Sequence, residues 1–546
     1  MATRGGTRLT LAIMFAMANL LTCAQATANY EVVPIPDNIE IKEGKPFVLD
    51  GSTTIVCTND DPQLRKNATM LAGYIKDITG MDLPVSQGNL FTGKPQGKTI
   101  LLSSELLSDN PEAYQINVTP DIIMIGGASP AGNFYGIQTF RKSIPVEKGK
   151  SIEFPQVNIS DSPQFGYRGA HFDVARHFFP ADSVKTYIDM MALHNMNRLH
   201  WHLTDDQGWR LPLKKHPELI TKGSVRRGTC IGKDFSSCDS IPYGGFYTSA
   251  EIQDVINYAA DRYITIIPEI DLPGHMLAAL TAHPDLGCTG GPYELWTIWG
   301  VADDVLCAGN EGVYNLLDDV LTEVAEIFPS EYIHIGGDEC PKDRWKACPK
   351  CQAKIVELGF TDDEHSSKEE KLQSHVMSFA TDVLARQGKK IIGWDEILEG
   401  GLPDNAVVMS WRGAEGGQKA AGMGHDAIMA PYTHYYLDYY QSKDTENEPL
   451  SIGGYIPLSK SYSFEPYEGI SPENRQHILG VQANLWTEYI HTFDHAQYMV
   501  LPRWAALSEV QWSDPKSRDF DAFKQRLSRL QDHYKLNGYN YSNRQE

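Results

Sequence analysis

The 546-residue chain lacks any excess of positive charge: 48 Lys and Arg stand against 70 Asp and Glu, a net charge of −22. A nucleic-acid binder needs a basic face to displace counterions from phosphates, and an anionic membrane surface asks for the same, so both are disfavoured as partners. Long apolar runs are also missing. The stretch from Leu9 to Leu21 is too short to cross a bilayer comfortably, and no later stretch reaches about 18 apolar residues. There is no low-complexity segment, and no Gly-rich phosphate loop to support a nucleotide site. What is present is ordinary for a globular protein, 42% hydrophobic and 22% charged, so disorder is not its main state. At roughly 100–200 residues per domain, the length suggests two to four domains, or one large barrel with a satellite.

Arg4 and Arg8 precede the apolar run, and Ala24-Gln25-Ala26 and Ala26-Thr27-Ala28 are small-x-small cleavage sites. This pattern predicts an export signal over residues 1–28, and with it a periplasmic, cell-surface or extracellular location, or a lysosomal one in a eukaryote. A lipid anchor at Cys23 is the weaker reading, because Leu20-Leu21-Thr22 lacks the Gly or Ala a lipobox places before the cysteine. Eight cysteines follow the signal, and an even number in an exported chain suggests disulfides, with Cys230/Cys238 and Cys288/Cys307 each able to close a loop. Cys340, Cys348 and Cys351 leave a second reading open. Their C-x7-C-x2-C spacing can hold a zinc ion if a fourth ligand comes from elsewhere. No catalytic metal or cofactor is expected, and a homo-oligomer is left open.

Residues 29–163 read as a small α+β domain. Strands are predicted at Ile39–Ile41, Lys98–Ser103 and Ile122–Gly127, helices at Lys66–Ile78 and Ala131–Ser143, and a turn-rich boundary at Asn158–Pro163. From 164 to 546 short apolar strands alternate with helical stretches. The strands are Tyr167–Val174, Asn197–Leu203, Tyr263–Ile270, Tyr332–Gly337, Lys390–Trp394, Ala406–Trp411, Asp426–Ala430 and Ile478–Trp486. The helices include Ser183–Leu193, Ser249–Ala260, Val313–Ile327, Glu369–Arg386 and Gly416–Ala421. The fold class is therefore α/β: a (β/α)8 TIM barrel with insertions, preceded by the small domain. An open doubly wound sheet is the runner-up.

A barrel of this kind does its chemistry at the C-terminal ends of its strands. Carboxylates and tryptophans dominate those ends: Asp173, Asp205-Asp206, Glu269, Asp271, His275, Asp338-Glu339, Trp394-Asp395-Glu396, Trp411, Tyr436, Asp438, Trp486 and Glu488. Carboxylates accept from sugar hydroxyls and move protons, while indole faces stack on the C–H face of a pyranose. The pairing points to a carbohydrate enzyme.

The stretch His334-Ile-Gly-Gly-Asp-Glu339 resembles the catalytic signature of glycoside hydrolase family 20, the β-N-acetylhexosaminidases. Further stretches resemble the family in the same order. They are Arg168-Gly-Ala-His-Phe-Asp-Val-Ala-Arg-His177, His200-Trp-His-Leu-Thr-Asp-Asp-Gln-Gly-Trp-Arg210, Pro268-Glu-Ile-Asp-Leu-Pro-Gly-His275, Gly393-Trp-Asp-Glu-Ile397, Ser410-Trp-Arg412 and Leu485-Trp-Thr-Glu488. The small domain, with Ala131-Gly-Asn-Phe-Tyr-Gly-Ile-Gln-Thr139, is similar to the family's non-catalytic domain.

The resemblance implies an exo-acting, retaining enzyme that removes terminal β-linked GlcNAc or GalNAc from glycans. In such enzymes the substrate's own 2-acetamido oxygen is the nucleophile. Glu339 is then the general acid, with a raised pKa, and Asp338 the ionised group that orients the acetamide. Tyr436 is expected on the acetamide carbonyl, and Trp394, Trp411 and Trp486 around the acetamide and ring. Arg168 is expected on the hydroxyls at carbons 3 and 4, with Asp438 and Glu488 on those at carbons 4 and 6. Asp205 and His275 are expected to support Glu339. Of the adjacent pair Asp205-Asp206, only one is expected to point at the site. Two rivals remain. One is a metal-dependent amidohydrolase using His200-x-His202, and the other is an inactive sugar-binding barrel.

Overall fold

The computed structural model describes residues 26–86 and 97–546; the predicted signal up to residue 25, Cys23 included, lies outside the described residues. The small domain is built on a six-stranded mixed sheet in the order Asn38–Ile41, Val157–Asp161, Tyr114–Val118, Ile122–Gly127, Thr99–Ser103, Thr54–Cys57. Helices Pro62–Thr79 and Pro130–Ser143 pack against it. The first of these shows how locally the sequence sets an element. Asp61 caps its N-terminus by accepting from the Gln63 N–H, Pro62 fits the first turn, and Gly80 in the left-handed region ends it.

Two expectations for this domain change. Val157–Asp161 is a strand and not a turn-rich boundary: Val157, Ile159 and Asp161 alternate inward in a period-two pattern that the polar Asn158 and Ser160 obscure. Ala26–Thr27 pairs with Ile152–Phe154, and Ala26 and Ala28 are buried, so the predicted boundary at residue 28 falls inside packed structure.

The barrel closes through eight parallel strands, β1 (Tyr167–Asp173), β2 (Arg198–His202), β3 (Thr265–Leu272), β4 (Tyr332–Gly336), β5 (Lys390–Trp394), β6 (Val407–Ser410), β7 (Ala427–Met429) and β8 (Ile478–Ala483). All seven residues of β1 are buried, as expected of a parallel strand covered on both faces. Helices fill the crossovers, and two of them, Ser249–Ala260 and Lys368–Arg386, begin with full capping boxes at Thr248/Glu251 and Ser367/Glu370.

The small domain sits against the N-terminal end of the barrel. Arg168, at the start of β1, donates to both oxygens of Glu112 at 2.7 and 3.0 Å, and Trp512 donates to Asp161 at 2.9 Å. The C-terminal end is left free for insertions. Among the described residues no helix is long and apolar enough to cross a membrane.

The cysteines depart from expectation. All eight described ones are free thiols. Cys230 and Cys238 lie opposite each other on a hairpin without bonding. Cys288 and Cys307 do not bridge to each other but gather with Cys348 and Cys351. Cys340 is not part of that group, because the turn at Glu339 sends it against Gly274 instead.

Candidate active site

The loop after β4 carries the acid pair. Gly336 and Gly337 have φ of 62° and 96°, and a Cβ on Gly336 would fall 1.6 Å from Asp271 Oδ1, so only glycine fits there. Glu339 itself has φ 42° and His275 φ 50°. Strain of this kind in non-glycine residues is held by surrounding structure and concentrates at functional sites. Here it turns Asp338 and Glu339 toward one imidazole: His275 Nε2 lies 3.4 Å from Glu339 Oε2 and 3.9 Å from Asp338 Oδ2.

His275 is itself gripped from behind. Its Nδ1 is 3.2 Å from both Asp205 Oδ1 and Asp206 Oδ2. Both members of the pair therefore reach it, because they sit on the tight hairpin between Thr204–Asp205 and Gly208–Trp209, where side chains need not alternate. Although burial opposes it, these carboxylates and Glu339 hold the His275 pKa well above the ordinary value, and the ring is cationic.

The pKa order of the acid pair is the reverse of expectation. The hydrogen bond to cationic His275 holds Glu339 below the usual glutamate value, against partial burial. Burial, with the negative charges of Glu339 and Glu269 nearby, pushes Asp338 up to about 6. The reason is geometric. The Glu339 side chain is 43% exposed and closer to the imidazole, while that of Asp338 is 12% exposed and its Oδ1 has no hydrogen-bond partner among the described residues.

Beside this pair lies a cavity of about 260 Å³, at the small end for ligand sites and suited to one sugar ring. Asp338 and Glu339 form one wall. Trp411 and Tyr436, with rings 5.9 Å apart and 20° from parallel, and Trp486 form the aromatic side. Asp438, Glu488 and Arg176 also line it, with Tyr439 and Ile452 from the loop after β7. Asp438 is 4% exposed, and neither of its oxygens has a partner among the described residues. Burial, and the charge of Glu488 close by, raise its pKa well above the usual range.

Trp394 stands behind the cavity. It lies 5.8 Å from the Trp486 ring, and its N–H is donated to Glu269. Asp205 is likewise behind, ion-paired with Arg176 at 2.8 Å.

Arg168 is a correction. It lies at the opposite end of β1 from the cavity, fully buried, with its donors taken by Glu112, Phe165 O and Asn195 O. Arg176, just past the C-terminal end of the same strand, is the arginine that reaches the cavity, stacked 4.9 Å over Trp486. Position relative to the strand ends was the available signal. Glu396, among the strand-end carboxylates but given no role from sequence, also belongs to the site. Burial and the nearby Asp338 raise its pKa to about 8, and it accepts from the Trp411 N–H at 2.9 Å.

His200 and His202 are committed to the barrel interior. His200 Nε2 is 2.9 Å from Glu269 Oε2, His202 Nδ1 also contacts that oxygen, and His202 Nε2 reaches Asp205 Oδ2 at 2.8 Å. Glu269 takes the Trp394 N–H as well. This buried hub ties β2, β3 and β5 together, a structural role for both histidines.

Comparison with known proteins agrees with this geometry. Residues 165–515 match the model for the glycosyl hydrolase family 20 catalytic domain, and residues 29–162 match that for family 20 domain 2. The chain belongs to glycosyl hydrolase family 20. Within the family it is 40% identical to a β-hexosaminidase of Porphyromonas gingivalis over 98% of this chain and 68% of that one. It is 33% identical to a β-N-acetylhexosaminidase of Cellulomonas fimi, covering 91% and 92%. The family 20 β-N-acetylhexosaminidase structure from Streptomyces coelicolor superposes with a TM-score of 0.79 at 30% identity, covering 94% of this chain and 97% of that one. The exo-β-N-acetylglucosaminidase of Vibrio harveyi, solved with N-acetylglucosamine, gives 0.81 at 32% identity, covering 95% and 79%.

Proposed function

We propose that the chain is an exo-acting, retaining β-N-acetylhexosaminidase that releases terminal β-linked GlcNAc or GalNAc through an oxazolinium intermediate. One observation carries the mechanism. Asp338 and Glu339 approach the same imidazole nitrogen, so they stand side by side and cannot flank a glycosidic bond as nucleophile and acid on opposite faces. The nucleophile is then the substrate's acetamide oxygen. Asp338 accepts the acetamide N–H, Tyr436 donates to the carbonyl, and Glu339 protonates the leaving oxygen and later deprotonates water. The cavity's one-sugar size and its lining by Asp438, Glu488 and Arg176 support exo action.

Catalysis needs Glu339 protonated and Asp338 ionised, whereas in the free enzyme Asp338 carries the raised pKa and Glu339 the lowered one. An acetamide N–H donated to Asp338 favours its anion, and a sugar covering the exposed Glu339 favours its acid, so substrate binding shifts both groups toward the catalytic forms.

The test is hydrolysis of p-nitrophenyl N-acetyl-β-glucosaminide and of chitobiose by wild type, Glu339→Gln and Asp338→Asn. Glu339→Gln is expected to lose about 10²–10⁴-fold on chitobiose and far less on the activated aryl glycoside, while Asp338→Asn loses heavily on both. A Glu339→Gln enzyme at full rate on chitobiose overturns the assignment. Absence of turnover in the wild type returns the inactive barrel. We also propose export, supported by the charged and apolar N-terminus, and N-terminal sequencing of the mature protein tests it.

A further inference from the structure

Outside the sugar site, four cysteines meet between two loops. The sulphurs of Cys288, Cys307, Cys348 and Cys351 all lie within 4.8 Å of one another. Cys307 Sγ is 3.6 Å from Cys348 Sγ and 3.6 Å from Cys351 Sγ, and Cys288 Sγ is 3.8 Å from Cys351 Sγ. Four thiolates around zinc at roughly 2.3 Å form a tetrahedron with edges of about 3.8 Å. Cys307 being equally near two partners is what a shared central ion requires, whereas two disulfides would set the sulphurs apart as pairs.

The backbone is shaped for the same purpose. Cys348 caps the helix Pro349–Glu357, so Cys348-Pro-Lys-Cys351 presents its sulphurs at a helix N-terminus, where negative charge is favoured. Gly309 follows Cys307 closely, and a Cβ there would fall 2.2 Å from the Lys350 carbonyl carbon, so only glycine lets the two turns close on each other. Cys307 and Cys351 are fully buried and Cys348 nearly so.

We infer that Cys288, Cys307, Cys348 and Cys351 form a structural tetrahedral zinc site. The site joins the loop after β3 to the segment after Glu339. The β3 loop between Cys288 and Cys307 is the one whose Trp296 N–H donates to Asp206 O and whose Ile298 O accepts from Gln207, so it steadies the turn that grips His275. The zinc therefore acts at a distance, holding the support of the acid pair and touching no substrate.

The test is metal content of the intact enzyme, purified without chelators and, separately, reduced, incubated with Zn(II) and dialysed. About one zinc per chain is expected, released when a mercurial blocks the thiols. Co(II) in its place should give thiolate charge-transfer and tetrahedral d–d bands. Cys307→Ser and Cys351→Ser should each lose most of the bound metal, while Cys57→Ser and Cys340→Ser keep it. Three results overturn the proposal: reduced wild type that retains no zinc, native disulfides linking these cysteines in mapped peptides, or full zinc content in Cys307→Ser.

Discussion

Arg168 and Arg176 bracket the first barrel strand, and both are buried against carboxylates. At the N-terminal end Arg168 is spent on the fold. Glu112 takes it bidentately, two backbone carbonyls take two more of its donors, and the Tyr135 and Trp512 rings cover it at about 5 Å. At the C-terminal end the fold stops short of satisfying its polar groups. Arg176 holds Asp205 and Asp173, but Asp438 and one oxygen of Asp338 are buried without partners among the described residues. Buried polar atoms are normally paired, and an unpaired one costs about 1–3 kcal/mol. The end where Arg168 is spent on the fold is an interdomain joint, and the end where Asp338 and Asp438 keep unpartnered oxygens is where a polyhydroxylated ligand completes the set.

The sharpest way to break this contrast is to remove each arginine. Arg168→Ala strands Glu112 in the interface, and breaking a buried pair this way costs about 3–5 kcal/mol. Urea unfolding should show that loss, with kcat/KM of the folded enzyme changed less than about twofold. Arg176→Ala should instead lower kcat/KM by about 10²–10³-fold, comparable to losing a preorganised charged donor. If Arg168→Ala kills activity without loss of stability, the two ends are not divided as described.

The sequence made the barrel legible because each strand is a short apolar run and each helix has a local start signal, such as the Ser367/Glu370 box. Side-chain identity at the site was legible for the same reason, since Asp338, Glu339, Trp411, Tyr436, Asp438, Trp486 and Glu488 all follow strand ends and bound the cavity. What sequence hid is non-local. The first-strand motif holds two arginines, and Glu112, the partner that claims Arg168, lies in another domain. The pKa order of Asp338 and Glu339 depends on which lies nearer a cation set by Asp205 and Asp206. The four-cysteine cluster draws on segments far apart in the chain, so the spacing around Cys340 pointed to the wrong third ligand.

The contrast also predicts how stability varies with pH. Asp338 has its folded pKa raised to about 6 from 3.8. A raised pKa means the folded state favours the protonated form, so this group's stability contribution is fully present below about pH 4 and is lost as pH rises through 6. Asp338→Asn should therefore be more stable than wild type above pH 6, by up to about 2–3 kcal/mol, and equal to it near pH 4. In wild type the same ionisation is needed for activity, so the acid limb of kcat/KM should fall below about pH 6. A stability difference independent of pH would mean Asp338 is not held protonated in the free enzyme.

Asp438 offers the smallest and most discriminating change. Its neighbour Arg503 spends its donors on the carbonyls of Leu437, Tyr439, Ile456 and Met499, so the carboxyl gains no ion pair from it. Asn keeps the shape and removes only the capacity for charge. If the fold does not use Asp438, Asp438→Asn should leave thermal stability unchanged or raise it by about 1 kcal/mol, because no buried partner is orphaned. If the sugar does use it, the charge-assisted bond to a hydroxyl weakens and kcat/KM drops about 10-fold, chiefly through KM. Paired melting and kinetic measurements separate the two. A loss of stability with unchanged KM would make Asp438 a group of the Arg168 kind, serving the fold and not the ligand.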